Sequence, residues 1–222
     1  IRDFQVDANT VAWVVTAYLL VSASAAVLGG RFGDLYGRRK VMVIVLVIAA
    51  IGSLISLLGG SLGMIIFGRA IQGVAGAVLG LAFGLAREHL DGKRVPVGIS
   101  MIGASALIAG AGGSMIAGFM IDLFSWHGIF VFAAVLAAIA AVAIQLIIPR
   151  DTNAATTEKP DYLGAVLLPI AVSALLLGLS SSSKAGFLSV EFLGLMGLGV
   201  ATAAVWAWWE LRVESPIVNL RM

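Results

Sequence analysis

Seven stretches, near residues 11–29, 41–58, 64–86, 95–121, 128–148, 162–180 and 188–209, each run for a bilayer's thickness with almost no charge. About 20 apolar residues in helical form cross a hydrocarbon core of roughly 30 Å. An unpaired backbone N–H or C=O is so costly in lipid that a span must be an α-helix or a strand of a closed barrel, and these runs are about twice the length of barrel strands. The expected fold is therefore all-α, a polytopic transmembrane helical bundle. Composition leaves no soluble alternative, with 60% of the 222 residues apolar, 12% charged and 27 glycines, where a soluble domain carries about 25% charged residues.

The connections between spans differ sharply in cation content. One alternating set holds Arg31, Arg38, Arg39 and Lys40, then Arg87, Lys93 and Arg94, then Arg150 and Lys159, then Arg212 and Arg221, which is eleven of the fourteen cations. The other set holds Arg2 and Lys184. Cytoplasmic loops carry the excess of Lys and Arg, so the first set lies inside, residue 1 outside and residue 222 in the cytoplasm of a multi-pass cell-membrane protein. Trp13 and Trp126 then fall at outer ends, and Trp206, Trp208 and Trp209 at the inner end of the last span, as interface anchors do.

This topology accounts for the net charge of +2, and no basic patch with interleaved aromatics points to nucleic acid. With no cysteine there is neither a disulfide nor a thiolate metal site. His89 and His127 lie in connections of opposite sidedness, so no metal and no cofactor is expected. An enzyme is not expected either, because no span clusters His, Cys or carboxylates, and Asp122 and Glu191 stand singly at outer ends. Seven spans with an outside start also fit a receptor or retinal protein. Lys40, Lys93, Lys159 and Lys184 all lie in loops, however, so the last span offers no amine for a Schiff base.

The first inner connection, Gly29 to Lys40, reads GGRFGDLYGRRK. Gly33 and Gly37 allow a tight turn, and Asp34 is placed to cap a helix or to pair with Arg38. The order of Gly30, Gly33, Asp34, Gly37, Arg38 and Arg39 resembles the cytoplasmic loop signature of the major facilitator superfamily, Gly-x-Leu-Ala-Asp-Arg-x-Gly-Arg-Lys, which joins that family's second and third helices. Leu35 departs from it, standing where a cation is usual. An echo of the loop, Gly118-Phe-Met-Ile-Asp122-Leu-Phe124, recurs 88 residues later on the opposite side of the membrane, as an inverted repeat would produce.

Arg69 and Gln72 lie one turn apart in the third span, where a central Arg costs about 2.5–3.5 kcal/mol on translocon scales unless it faces a cavity, a partner or a proton path. The run from Arg69 and Gln72 through Gly73 and Gly76 resembles the fourth-helix signature of proton-coupled members of the family, Arg-x-x-Gln-Gly-x-Gly, with the second glycine one place late. That resemblance implies that Arg69 takes part in proton coupling. Gly76, Gly80 and Gly84 recur every fourth residue, and glycines crowd the next span, which reads as close helix packing. There, Ala109–Gly118 is similar to the antiporter signature Gly-x-x-x-Gly-Pro-x-x-Gly-Gly at Gly113 and Gly118 alone, with Ser114 in place of the proline. Tyr18, Gln72 and Met101 are candidates for a substrate cavity on helical spacing.

Trp13 through Leu19 resembles the start of the second helix in the fourteen-helix drug/proton antiporter branch. Asp161–Ala165 resembles the start of that branch's inserted helix pair, and Glu210–Arg221 the segment leading to its ninth helix. The resemblance implies seven spans of an incomplete bundle, helices two to eight of fourteen. Residues 1–148 are the N-terminal six-helix bundle without its first helix, 149–161 a cytoplasmic linker, 162–209 the inserted pair, and 210–222 the lead into a C-terminal half outside this chain. It further implies secondary active export of small amphipathic or cationic organic compounds, with protons, the lipid bilayer and the C-terminal half as partners. A non-drug facilitator or symporter of the same superfamily is the alternative, favoured by Ser114. In a cysteine-free background of the complete protein, Lys93→Cys is expected to react with an impermeant thiol reagent only from the cytoplasmic face, and Lys184→Cys only from outside. The reverse labelling would overturn the orientation.

Overall fold

The computed structural model describes residues 8–149, 161–213 and 215–218. Its elements are α1 (Ala8–Tyr36), α2 (Arg38–Leu58), α3 (Leu62–Gln72), a 3-10 turn at Gly73–Gly76, α4 (Ala77–His89), α5 (Val95–Ile147), α6 (Tyr162–Ala185) and α7 (Val190–Glu210), with no strand among the described residues. Among the described residues, six helical stretches are long and apolar enough to cross a membrane, and the protein is an all-α, multi-pass membrane protein. The chain divides into two compact units, residues 1–155 and 156–222. The expected linker falls almost wholly outside the described residues, as does part of 210–222.

The count of six differs from the seven spans expected because the fourth and fifth are joined in one 53-residue element. At 1.5 Å per residue such a helix would extend about 80 Å, more than twice the hydrocarbon thickness. It is interrupted at Ser125, which has φ 61° and ψ −179°, between the two expected runs. That backbone region is essentially reserved for glycine, and a serine in it is strained.

A second difference is at the first inner connection. Gly30 and Gly33 do not turn the chain: α1 runs through both to Tyr36, and only Gly37, at φ 94°, breaks the helix. Gly33 is small for another reason, since a Cβ there would come within 2.6 Å of Leu81 Cδ2 and 3.1 Å of Arg38 Cγ. A Cβ on Gly30 would meet nothing within 4 Å.

Local chemistry explains the other boundaries. The Ser61 hydroxyl accepts from the Met64 N–H at 3.3 Å and starts α3, and the Ser189 hydroxyl accepts from the Phe192 N–H at 3.1 Å and starts α7. Pro96 lies in the first turn of α5, where a missing N–H costs nothing. Gly186, at φ 83°, ends α6.

In the first unit, Val41, Met42 and Leu46 of α2 pack with Ala77, Leu81 and Leu85 of α4 and with Ala141 of α5. Close helix crossings depend on glycine. A Cβ on Gly52 would stand 2.6 Å from Gln72 N and 2.7 Å from Gly68 O, and one on Gly73 would stand 2.7 Å from Tyr18 O. Ser53 and Ser56 are buried; the Ser53 hydroxyl donates back to Ala49 O within α2, and that of Ser56 donates across to Ile65 O of α3. The large side chains left exposed, among them Leu107, Met115, Leu146 and Ile147, match a surface whose solvent is lipid.

Two stability outcomes are expected. Ser125→Gly relieves the backbone strain and stabilises the protein by about 1 kcal/mol. Gly73→Val overpacks the α1 contact and destabilises by about 1–3 kcal/mol. Thermal unfolding of the purified complete protein checks both, and a lower melting temperature for Ser125→Gly would contradict the strain.

Candidate functional site

Two clusters carry the polar chemistry of the first unit. The first is at the start of α2, where Arg38, Arg39 and Lys40 are placed on the positive end of a helix dipole, an unfavourable position for cations. The arrangement is compensated by the C-terminal ends of other helices. Arg38 donates from Nε and Nη2 to Asp34 Oδ1, in the last turn of α1, at 3.0 and 2.8 Å. Its Nη1 donates to Gly84 O of α4 at 3.1 Å and lies 3.6 Å from Glu88 Oε2. Arg39 Nη2 donates to Gln145 O in the last turn of α5 at 2.6 Å. Cations are favourable at helix C-termini, and Gln145 O is one of the carbonyls a helix end leaves without an internal partner.

As an isolated ion pair between partly exposed residues, Asp34–Arg38 would contribute only about 0.3–0.5 kcal/mol. Its value is positional, because one guanidinium fork connects α1 to α4 through three acceptors. Asp34 pairs rather than caps: α2 has no side-chain cap. Leu35, which replaces a cation of the family signature, is buried in the core. Sequence reasoning missed Gly84 and Glu88 as partners of Arg38. A Cβ on Gly84 would stand 2.7 Å from Arg38 Cδ and Nε. The four-residue glycine spacing is the signal that marks this position, but spacing alone does not separate room for a helix from room for a guanidinium.

The second cluster lies inside the bundle. Arg69 Nη1 donates to Gln72 Oε1 at 2.6 Å, Nε donates to Val14 O at 3.3 Å, and the guanidinium carbon lies 4.3 Å from the Tyr18 ring centroid. The half-buried cation is thus met by an amide, a carbonyl of α1 and an aromatic face, the contacts that make an intramembrane Arg tolerable. Gly73 and Gly76 bring α1 this close, since their Cβ atoms would run into the α1 backbone at Tyr18 and Ser22. Three of the residues that sequence reasoning selects, Tyr18, Gln72 and Arg69, are therefore together.

Met101 is not with them. It is 69% exposed on α5, away from Tyr18 and Gln72. A Cβ added at Gly113 or Gly118 would likewise meet nothing within 4 Å, so the packing expected of these glycines has no partner among the described residues. The echo at Asp122 places Trp126 where the first loop has Arg38, so the ion pair of the first loop has no counterpart at that spacing. His89 Nδ1 lies 3.2 Å from Leu85 O, and His127 stacks on Trp126 with ring centroids 3.7 Å apart. No group of three or more His, Cys, Asp or Glu side chains gathers among the described residues.

The fold is thus that of a multi-pass membrane-spanning helical bundle, with a guanidinium held between α1 and α3. The profile of the Major Facilitator Superfamily matches residues 1–161, and the chain belongs to that family. Curated relatives include a multidrug resistance protein B homolog of Mycobacterium tuberculosis, 28% identical over 100% of this chain and 42% of the relative. A triacylglyceride transporter of Mycobacteroides abscessus is 34% identical over 93% of this chain and 41% of the relative. A lincomycin resistance protein of Streptomyces lincolnensis is 29% identical over 99% of this chain and 46% of the relative. The chain spans less than half the length of these relatives.

Replacement of Gly84 by Val is expected to push the Arg38 side chain off both Gly84 O and Asp34, with a destabilisation of about 1–3 kcal/mol. In the Arg38→Ala background the same replacement should cost distinctly less. Thermal unfolding of the four proteins in this cycle measures the coupling, and full additivity would show that Gly84 does not act through Arg38.

Proposed function

We propose that the complete protein exports small amphipathic or cationic organic compounds by alternating access, driven by protons moving inward. The observation that carries this reading is the Arg69–Gln72–Tyr18 cluster, an ionised group kept within the span by contacts from two helices that must slide or rock against each other during transport. Arg69 couples protonation to that movement. Asp34 and Arg38 latch the end of the bundle that carries the cation cluster, and the glycine contacts of Gly73 and Gly76 give α1 and α3 a smooth surface on which to move. The names of the multidrug and lincomycin resistance relatives support a drug-like substrate. No chemical conversion of the substrate is part of the proposal.

The relatives named as triacylglyceride transporters favour a second reading, in which the cargo is a neutral lipid. The two differ in charge. With the complete protein in proteoliposomes, a cationic dye is expected to leave in response to an imposed pH gradient, and a labelled triacylglyceride is not. Arg69→Ala should abolish gradient-driven efflux, and unaltered efflux would remove Arg69 from the mechanism. Asp34→Asn should slow transport at least several-fold, and intact transport would end the latch. Export of the triacylglyceride alone would establish the second reading.

A further inference from the structure

The second unit buries two carboxylates where its hairpin begins and ends. Asp161 immediately precedes α6 and is 9% exposed, and Glu210 closes α7 and is 1% exposed. Asp161 Oδ1 accepts from the Gly164 N–H at 3.0 Å and from the Trp209 indole N–H at 2.9 Å. Glu210 accepts from the Ile217 N–H, at 3.3 Å to Oε1 and 3.0 Å to Oε2. These donors are all neutral.

Both acids border the same point, the bare Cα of Gly164. A Cβ there would collide with Asp161 Oδ2 and stand 3.1 Å from Glu210 Oε1. Asp161 Oδ2 is buried and has no hydrogen-bond partner among the described residues. An ionised carboxylate with a bare oxygen, facing a second carboxylate in a buried site, is unfavourable on both desolvation and repulsion grounds.

Among the described residues, no charged neighbour neutralises the site. From α6, Tyr162 is 71% exposed. On α7, Glu191 is at the far end of the helix, and beyond it Arg212 stacks on Trp208 with its guanidinium carbon 4.0 Å from the ring centroid. Residues 215–218 contribute Ser215, Pro216, Ile217 and Val218, none of them charged. Lys159, Glu214 and Arg221 lie outside the described residues.

We propose that Glu210 carries a proton and donates it to the bare Oδ2 of Asp161, forming a protonation site separate from Arg69 that fastens the two ends of the α6–α7 hairpin. The proton comes from water. Bound, it supplies the donor that Asp161 Oδ2 lacks and leaves the pair with a single negative charge. Its loss creates two facing carboxylates, whose repulsion opposes the contact between Asp161 at the start of α6 and Glu210 at the end of α7. The hairpin ends are then fastened at low pH and released at high pH, whatever the transported compound is.

Infrared spectra of the purified complete protein, recorded across a pH titration in H2O and D2O, test this. A protonated-carboxyl C=O band is expected near neutral pH, sensitive to deuteration, present in wild type and lost in both Glu210→Gln and Asp161→Asn. Thermal stability of the wild type should fall as pH rises through the range in which the band disappears, since the folded state then gives up a proton that stabilises it. Glu210→Gln, whose amide mimics the protonated acid, should flatten that dependence. Gly164→Ala, which intrudes between the two acids, gives a second readout if the other variants fail to fold, and should shift the pH at which the band is lost. Absence of the band in wild type, its survival in either acid variant, or a stability that follows sodium or calcium concentration instead of pH would overturn the proposal.

Discussion

The first unit is organised by three successive cations that begin a helix, a position where the dipole opposes them. Arg38 and Arg39 are stabilised by reaching the C-terminal ends of α1, α4 and α5, so the helix ends come together at one edge of the bundle. The same demand explains the small residues nearby. Gly33 admits Leu81 and the stem of Arg38, Gly84 admits the Arg38 head, and Gly37 supplies the positive φ that separates Asp34 on α1 from Arg38 on α2.

Deeper in the unit the controlling constraint is the absence of water. Lipid gives no hydrophobic incentive for two helices to associate, so close contact, dispersion and internal hydrogen bonds must hold them. The glycines at 52, 68, 73 and 76 permit that contact, and the same proximity delivers the Val14 carbonyl and the Tyr18 ring to Arg69. Packing and the polar site are thus one arrangement, because the atoms that satisfy the guanidinium are available only where backbones nearly touch. The glycines of α5 from Gly103 to Gly118 stand apart from this pattern, with open space around each of them among the described residues.

Much of this was legible in the sequence. The helical class, the break between the fourth and fifth spans and the pairing of Asp34 with Arg38 all follow from local patterns: apolar run length, a polar interruption and an i,i+4 charge pair. The continuation of α1 through Gly30 and Gly33 was not legible, because glycine signals both turns and close approaches, and here Gly33 serves the second. The reach of Arg38 to Gly84 and Glu88 was hidden for a different reason, since it joins residues 46 and 50 positions apart across a helix crossing.

By itself, the sequence determined that the chain lives in a membrane as a bundle of helices, since the bilayer allows about 20 apolar residues no other conformation that satisfies its backbone. It also marked which polar residues are expensive enough to need an explanation. Only the tertiary structure decided which partners meet that need: Tyr18 and Val14 for Arg69, three helix ends for Arg38 and Arg39, and Glu210 beside Asp161 across the hairpin. The physical reason is range. Spanning is a property of each segment and its solvent, whereas compensation of a charge depends on atoms a few ångströms away in space and tens of residues away in the chain.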